Sequence, residues 1–420
     1  MEQKENLSIS CLDDVKKQLM KMAQYHLDHY DKAGTYEYSK DMASLYDEAS
    51  KIVINLSEKE RDAIVQLLED FPRKSGGYNF PISLDMMFRS DGHGFSKLFK
   101  MVKTDCLAPF SLKISQAFVN TALKFAQTNE FKGITTLYLC SDEITGLSRH
   151  GTESINERDG TLSYIGGAHP FGGKRDKVTS MISATLTANF APFMEMATSH
   201  ELFDKVCEKR KSLPTFDARA FPVNRGVVGL MVQSRLLSCY RNTVSELHDY
   251  FFGTKAGHGL DCKEKRRRML EKFDFDFNND CPAFLKFGVF VKGNRAYVPS
   301  KIPALDSTFV EFLYAKESDY ALTNEEFHKK IVQDFSKNCE IIPFEEVMAM
   351  YPNGYISEKV KEGKRAKYES DMAIQLEQSR LNAEKSKQII KPSREETIRA
   401  RAEKKLRRAE KQQGREIKLN

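Results

Sequence analysis

The sequence of 420 residues has little of what marks secreted, membrane or disulfide-stabilised proteins. No run approaches the roughly 20 apolar residues that cross a bilayer, and the opening segment, MEQKENLSIS, lacks the apolar core of a secretory signal. The eight cysteines contain no CxxC pair, which argues against a zinc ribbon or a disulfide scaffold and favours reduced thiols. We therefore expect a cytoplasmic protein. Tryptophan is also absent, which bears on no particular function.

The net charge of +6 is distributed unevenly along the chain. Residues 361–420 contain 18 Lys and Arg against 10 Asp and Glu, a net charge of +8, so the body that precedes them carries about −2. Basic tails commonly meet polyanions, with nucleic acid as the first candidate, although a solvated charged helix has the same composition. Both interpretations of the tail stay open.

Length and hydropathy patterning predict four segments. A chain of 420 residues exceeds one compact core, and a hydrophobic content of 40 % is typical of a globular protein. The predicted segments are a helical N-terminal extension (1–79), a main domain (80–299), an appended small unit (300–357) and a basic tail, helical or disordered (358–420).

The main domain alternates strand and helix patterns. These are strands at 82–88, 134–139, 144–147, 216–223 and 284–298, and helices at 111–129, 174–190 and 227–252. This order predicts an α+β fold with an antiparallel sheet that helices cover on one face.

Two acidic turns follow strand patterns in this domain. The first is the segment RSDGHGF at 89–95, and the second is Ser141-Asp142-Glu143. Two Asp residues on neighbouring strands can bridge hard cations such as Mg²⁺, and two such ions stabilise the attacking and leaving oxygens of a phosphoryl displacement. Asp-Gly turns and acidic hairpin tips are also ordinary structural features, so that alternative stays open.

Glycines precede a predicted helix in the segment FGGKRDK at 171–177. Lys174 and Lys177 stand three residues apart and therefore share one face of the first turn. Free backbone N–H groups, the positive end of the helix dipole and two ammonium groups would form a phosphate cradle. Glycine capping beside surface lysines is the structural alternative.

A second basic run, KEKRRR at 263–268, falls on a predicted helix. A solvated helix face and a contact with an RNA backbone are both compatible with it.

Motifs over roughly residues 80–292 resemble, in order and spacing, those of the tRNA(His) guanylyltransferase superfamily, the reverse (3′–5′) polymerases. The matching segments are RSDGHGF (89–95), SDE (141–143), FGGKRDKVTS (171–180), FDAR (216–219), Arg235 with Arg241-Asn242, and the closing strand FLKFGV (284–289). Three departures mark a divergent member. Ala108-Pro109-Phe110-Ser111 lacks the basic and acidic residues of the family segment, and Cys239-Tyr240-Arg241-Asn242 replaces the eukaryotic H-I-N-N motif. Ser234 and Leu236 stand where the family's W-R-Q segment has Trp and Gln.

The resemblance implies a palm-like, polymerase- and cyclase-like sheet and a set of site residues. It implies that Asp91, Asp142 and the Gly92 carbonyl hold two Mg²⁺ ions, with Glu143 as a further catalytic acid. The implied nucleotide contacts are Arg89, Gly92, His93, Gly94, Phe95, Ser141, Lys174 and Lys177. The implied RNA contacts are Arg219, Arg235, Arg241 and Asn242.

The activity implied by the resemblance is a Mg²⁺-dependent nucleotidyl transfer to tRNA. A nucleotide, G from GTP in the first instance, would be added to the tRNA 5′ end after activation by a nucleoside triphosphate, GTP or ATP. Both tRNA(His) guanylylation and templated 5′-end repair stay open, and the Cys239–Asn242 departure favours repair. The expected partners are tRNA, nucleotides and further copies of the chain in a dimer or tetramer, with no membrane.

Two functions from other classes compete with this interpretation. A palm-type nucleotide cyclase shares the two carboxylates but has no use for the basic tail. A catalytically degenerate RNA-binding protein would explain the departure at Ala108 but not the retention of Asp91, Asp142 and Glu143.

Overall fold

The computed structural model describes most of the chain between residues 80 and 357 and isolated stretches beyond. The described ranges are 80, 84–102, 110–131, 133–149, 152–155, 162–165, 169–223, 225–358, 360–362, 374, 377–381 and 403. The helical extension predicted for 1–79 and the departure at Ala108 lie outside these residues.

The chain divides into two units, Met1–Ser357 and Glu358–Asn420. The described residues of the second unit are helical, and the Lys361 ammonium lies 2.6 Å from the Glu358 carboxylate there. No helix among the described residues is long and apolar enough to span a membrane.

Seven strands of the first unit form one antiparallel sheet. The strands are β1 (Asp85–Gly92), β2 (Ile134–Cys140), β3 (Glu143–Ser148), β6 (Phe216–Val223), β7 (Val289–Lys292), β8 (Arg295–Pro299) and β9 (Ile341–Pro343), with β4 (Thr152–Ile155) and β5 (Leu162–Ile165) paired separately. Their order is β6-β1-β3-β2-β7-β8-β9. The α+β class and the antiparallel sheet expected from the sequence are confirmed.

Helices connect these strands. They are α1 (Phe95–Val102), α2 (Leu112–Ala126), α3 (Arg175–Ala197), α4 (His200–Arg210), α5 (Arg225–Phe252), α6 (Cys262–Phe273), α7 (Phe277–Asp280), α8 (Ala283–Phe287), α9 (Ser307–Tyr314), α10 (Asn324–Phe335) and α11 (Phe344–Ala349). Several begin at a residue whose side chain accepts from the first turn: Ser111 for α2, Asp261 for α6, and Thr323, in a capping box with Glu326, for α10.

One face of the sheet packs against the long helix α5 together with α9 and α10. Met87 and Tyr138 from the strands share a buried cluster with Val228 of α5 and with Phe312 and Phe335. Since side chains alternate across a strand, Arg89 and Asp91 face the same side as Met87. The α5 face of the sheet is therefore the face that carries the polar residues of β1.

The opposite face packs against α2 and α3, so helices cover both faces rather than the one that was predicted. Phe88 lies edge-on to Phe125 of α2 at 5.7 Å between ring centres, and Phe190 of α3 contacts Phe216 at 5.4 Å. The physical reason is that Met86 and Phe88 are as buried as Met87. Apolar residues on both sides of a strand require cover on both sides.

The closing strand predicted at 284–298 begins later than expected. Residues Ala283–Phe287 form the helical turn α8, and Gly288, at φ +73°, redirects the chain into β7. A Cβ atom at Gly288 would lie 2.3 Å from the Leu139 carbonyl oxygen, so the close approach of α8 to β2 requires glycine.

Residues 300–357, predicted as an appended unit, continue the same sheet and core. Strand β9 pairs with β8, and Phe309 of α9 and Phe327 of α10 belong to the buried cluster on the α5 face. These residues lie in the same compact unit as the main domain.

A fully buried lysine of β7 binds the carbonyl groups at the C-terminal end of helix α9. The Lys292 ammonium donates to the carbonyl oxygens of Phe312 (2.7 Å), Leu313 (3.3 Å) and Ala315 (2.6 Å), and to the Thr136 hydroxyl (2.8 Å). Carbonyl groups in the last turn of a helix have no partners inside the helix. Lys292 supplies those partners from β7.

Candidate active site

Three acidic residues lie side by side at one end of the sheet. Asp91 on β1 is in register with Glu143 on β3 and with Asp217 on β6. Two residues before Asp91 in β1, Arg89 is in register with Arg219 on β6. Residues directly opposite on neighbouring strands have Cβ atoms roughly 5 Å apart. The sheet thus presents a row of carboxylates beside a row of guanidinium groups, all on the α5 face.

The fourth acid, Asp142, lies in the tight turn between β2 and β3. Ser141 takes a left-handed conformation there, with φ +55°, and the Gly92 N–H donates to the Asp142 carbonyl oxygen at 3.1 Å. This bond fixes the β2–β3 turn against the end of β1. Asp91 and Asp142, predicted from separate motifs, are brought together.

Gly92 is required at this point of the site. A Cβ atom on it would lie 2.3 Å from ring atoms of Phe95, which is fully buried. Phe95 packs among Phe118, Phe190 and Phe216 on the α2–α3 face. The structure therefore places Phe95 in the core, although the family motif implied a nucleotide contact. Its ring supports the turn that carries Gly92.

The carboxyl groups of Asp91 and Asp142 share an environment that disfavours their charges. Burial raises the pKa of Asp142 to about 6, and the negative charge of Asp91 contributes to the same shift. Burial and the charge of Asp217 raise the pKa of Asp91, which Arg89 and Arg219 partly oppose. Two desolvated carboxylates that repel one another constitute a site with strong affinity for positive charge.

Glu143 differs from its neighbours because its charge is already paired. Its carboxylate lies 3.2 Å from Arg89 Nε and 3.7 Å from Arg235 Nη1, and it accepts from the Thr145 hydroxyl at 3.2 Å. The structure therefore brings the predicted residues Arg89, Glu143 and Arg235 together as one ion-pair network. Arg235, in the first half of α5, thus connects that helix to Glu143 at the start of β3.

The donor set around Asp91 and Asp142 fits a hard divalent cation. Carboxylate oxygens and a backbone carbonyl such as that of Gly92 are the ligands that Mg²⁺ takes. Among the described residues there is no group of three or more His, Cys, Asp or Glu side chains placed to hold a metal ion.

Two residues of the site were not predicted as functional. The Asp217 carboxylate accepts from the Asp91 N–H at 3.3 Å, and Arg210, in the last turn of α4, donates to the carbonyl oxygens of His93 (3.0 Å) and Gly94 (3.1 Å). Asp217 stands in the FDAR segment, where its place beside Asp91 depends on strand register. Arg210 belongs to no motif, so no local signal could have identified it.

Lys174 and Lys177 are not brought to the carboxylates within one chain. They begin α3, which packs on the α2–α3 face, and Lys177 lies 5.2 Å over the Phe171 ring. That ring contacts Phe131, which precedes the start of β2. Because the turn with Asp142 follows the end of β2, a strand length of roughly 20 Å separates the two places.

The remaining predicted residues lie around a cavity or along α5. His93 and Gly94 are exposed in the turn after β1, and Arg241 and Asn242 follow Arg235 along α5. A cavity of about 110 Å³ opens at the end of β2, and its walls include Phe110, Phe118, Leu139, Cys140, Ser141 and Asn242. Its wall is mainly apolar, with the Ser141 hydroxyl and the Asn242 amide beside the β2–β3 turn.

The α+β sheet with carboxylates at the end of its central strands is a palm-like fold. Residues 78–224 match the family model described as tRNAHis guanylyltransferase. This part of the chain, about a third of its length, is therefore similar in sequence to the tRNA(His) guanylyltransferase family. None of the curated proteins compared with the chain matches it.

Solved structures of that family show limited similarity. A bacterial tRNA(His) guanylyltransferase-like protein in complex with ATP is 23 % identical over 60 % of this chain and 98 % of its own, with a TM-score of 0.44. The Saccharomyces cerevisiae tRNA(His) guanylyltransferase is 17 % identical over 51 % and 88 %, with a TM-score of 0.40. A bacterial guanylyltransferase-like protein in complex with GTP is 20 % identical over 57 % and 85 %, with a TM-score of 0.35.

Proposed function

We propose that the protein is a Mg²⁺-dependent tRNA nucleotidyltransferase that adds a nucleotide, G from GTP, to the 5′ end of a tRNA in the 3′–5′ direction. The observation that carries the proposal is the pairing of Asp91 with Asp142. Their carboxylates are desolvated, repel one another and face the guanidinium row of Arg89 and Arg219. The family match over 78–224 supplies the substrate class.

In the proposed reaction, the tRNA 5′ end is first activated by a nucleoside triphosphate. The 3′-hydroxyl oxygen of the incoming GTP then forms a bond to the 5′ phosphorus, and the activating group leaves with the electron pair of the bond that breaks. Such transfers depend on positioning and on neutralisation of phosphate charge. Both requirements can be assigned to residues of this site.

Asp91, Asp142 and the Gly92 carbonyl are the groups that would hold the metal. When bound, Mg²⁺ would offset the charge that builds on the phosphate oxygens. Because the Gly92 N–H is bonded to the Asp142 carbonyl, the two ligand-bearing turns keep a fixed separation. Such pre-organisation lowers the cost of assembling the reacting groups.

Arg89 and Arg235 would position phosphate at the edge of the carboxylate row. Both guanidinium groups contact Glu143, which fixes their direction. Arginine side chains suit this role because the planar fork of guanidinium donors matches phosphate geometry. We place the nucleobase in the cavity beside Ser141 and Asn242, whose mainly apolar wall suits a planar ring.

The proposal assigns no step to Lys174 and Lys177, because a strand length separates them from Asp91 within one chain. It retains the cytoplasmic location and the homo-oligomer expected from the sequence. It leaves both physiological tasks, tRNA(His) maturation and templated repair, to the choice of substrate.

The test uses purified protein, Mg²⁺, labelled GTP, a full-length tRNA(His) and a tRNA that lacks its first 5′ nucleotide. Asp142→Asn and Asp91→Asn should each lower the rate of 5′ addition at least 100-fold, because a neutral amide holds a divalent cation poorly. Asp334→Asn is the matched control, since Asp334 lies on the exposed side of α10 in an ion pair with Lys330. It should retain the full rate.

Each outcome assigns a function. Extension of either tRNA supports the proposal, and the preferred substrate selects maturation or repair. A cyclic product from GTP alone would replace the proposal with the cyclase. Retention of tRNA without any product would instead identify a degenerate RNA-binding protein.

A further inference from the structure

Helix α6 carries six basic and two acidic side chains in 12 residues, CKEKRRRMLEKF. We propose that four of these cations, Lys265, Arg266, Arg268 and Lys272, form a docking surface for the phosphate backbone of the RNA substrate. We call them the α6 surface. The inference rests on the proposed function for the identity of the RNA, and its geometry is independent of the carboxylate site.

Both acidic side chains of α6 form ion pairs with a single arginine, Arg267. Arg267 Nη2 lies 2.6 Å from Glu264, and Arg267 Nη1 lies 2.5 Å from Glu271. Arg267 points to solvent with its charge compensated twice over. In the part of the chain that the structure describes, no carboxylate forms an ion pair with any member of the α6 surface.

The α6 surface is instead held by neutral groups of α5 and its neighbours. Lys265 donates to the Ser245 hydroxyl at 3.0 Å, Arg266 to the Asn278 amide oxygen at 3.2 Å, and Arg268 to the Ala256 carbonyl oxygen at 3.0 Å. Arg268 and Lys272 both lie over the Phe252 ring, at 4.8 and 5.5 Å from its centre. Such contacts fix the direction of the side chains and leave their charge uncompensated.

The charge of this surface acts on a buried neighbour. His248 of α5 is fully buried, and burial lowers its pKa, with the positive charges of Arg268 and Lys265 lowering it further. Asp249, 3.9 Å from the His248 ring, acts in the opposite direction. Arg268 and Lys265 thus place positive charge beside this part of α5, and phosphate recognition requires such charge.

The surface is continuous with the proposed catalytic site through α5. Near the carboxylates, Arg235 of α5 forms an ion pair with Glu143. Further along α5, the Arg266 guanidinium lies 5.9 Å from the centre of the Tyr240 ring, and Arg268 lies over the Phe252 ring. At 1.5 Å per residue, Tyr240 and Phe252 lie about 8 and 25 Å along α5 from Arg235. An RNA with its 5′ end at the carboxylates and its paired stem along α5 would bring phosphates to these cations. RNA helices are recognised largely through such backbone contacts.

The test compares Arg266→Gln/Lys272→Gln with Arg267→Gln in the full chain. The affinity for a tRNA(His) transcript is measured between 50 and 200 mM KCl, which spans the range in which counterion release dominates. Each lost phosphate contact lowers the salt slope by about 1, so the double variant should lower it by about 2. At 0.1 M KCl the affinity should fall on the order of 50-fold.

Arg267→Gln removes a formal positive charge from the same helix and is the matched control. Its slope should change by less than about half a unit, because Arg267 already faces two carboxylates. The double variant removes two charges and the control one, so a control loss half as large as that of the double variant would show that only the overall charge matters and would overturn the surface. No loss in either variant would overturn it as well.

Two further measurements keep the result decisive. Thermal melting checks the fold, and if the double variant melts early, Lys272→Gln alone should lower the slope by about 1. Product formation is assayed separately, with Asp142→Asn as a variant that keeps the RNA slope. If the double variant lowers the salt slope of RNA binding but the wild type forms no product, the proposed function is refuted and the α6 surface is supported. If the wild type forms product but the double variant leaves the salt slope unchanged, the proposed function is supported and the α6 surface is refuted.

Discussion

Replacing Lys292 tests whether its buried ammonium group stabilises the C-terminal end of helix α9. The substitution Lys292→Met keeps the length of the side chain and removes the side-chain donor of the Phe312 and Ala315 carbonyl groups. The Leu313 carbonyl keeps the hydroxyl groups of Thr135 and Thr136 as donors. An unsatisfied buried polar group costs about 1–3 kcal/mol. The substitution also removes the desolvation penalty of the buried ammonium group, which raises the unfolding free energy by several kcal/mol.

The net expectation is a loss of about 1–3 kcal/mol of unfolding free energy, because two carbonyl groups lose their donor while the desolvation of one charge is relieved. For a unit of this size that corresponds to a fall of roughly 2–5 °C in melting temperature. Urea titration and thermal melting followed by circular dichroism would measure it. Lys329→Met, at an exposed position of α10, is the matched control and should change stability by less than about 0.5 kcal/mol.

A Lys292→Met protein as stable as Lys329→Met would refute the reasoning. It would show that water or a shift of the α9 terminus satisfies the carbonyl groups at no cost. A more stable protein would refute it in another way, since desolvation of the ammonium would then exceed all of its hydrogen bonds.

Three other predictions concern the site and the core. Gly92→Ala forces a Cβ atom into the buried Phe95 ring. The rate of 5′ addition should therefore fall at least tenfold, with a loss of about 1–3 kcal/mol of unfolding free energy. An unchanged rate would show that the turn adapts to the added atom. Lys177→Ala should leave the KM for GTP unchanged, and a large increase would indicate that a neighbouring copy supplies this lysine to the site. Burial lowers the pKa of His328 to about 4, so the stability that its neutral form contributes is complete above pH 6.5 and is lost as the pH falls toward 4. The loss is at most about 3 kcal/mol, and His328→Gln should remove this part of the pH dependence while His258→Gln, at an exposed position, should not.

The sequence predicted those features whose signal is local. Strand β1, the β2–β3 hairpin and helix α5 follow from apolar runs and their periods, and Asp91 and Asp142 follow from acidic turns at strand ends. Each of these depends on residues within one short window of the chain. Their positions could therefore be assigned before their contacts were known.

Features that depend on strand register or on packing were not predictable in this way. Asp217 lies beside Asp91 only because β6 pairs with β1 in one particular register. Lys174 and Lys177 have the pattern of a phosphate cradle, yet α3 begins at the far end of the other face. Phe95 belongs to a functional motif but serves the core, because a motif records which residues occur together and not which way each one points.

The anchoring of both Arg235 and the α6 surface on one helix has a consequence for substrate choice. Helix α5 is a continuous helix of 28 residues, so it sets the distance between the proposed site of chemistry and the proposed docking surface. A paired stem too short to span that distance can reach either the carboxylate site or the α6 surface, but not both at once. Selection of RNA by this protein would then depend on the length of the stem behind the 5′ end, whatever its base sequence.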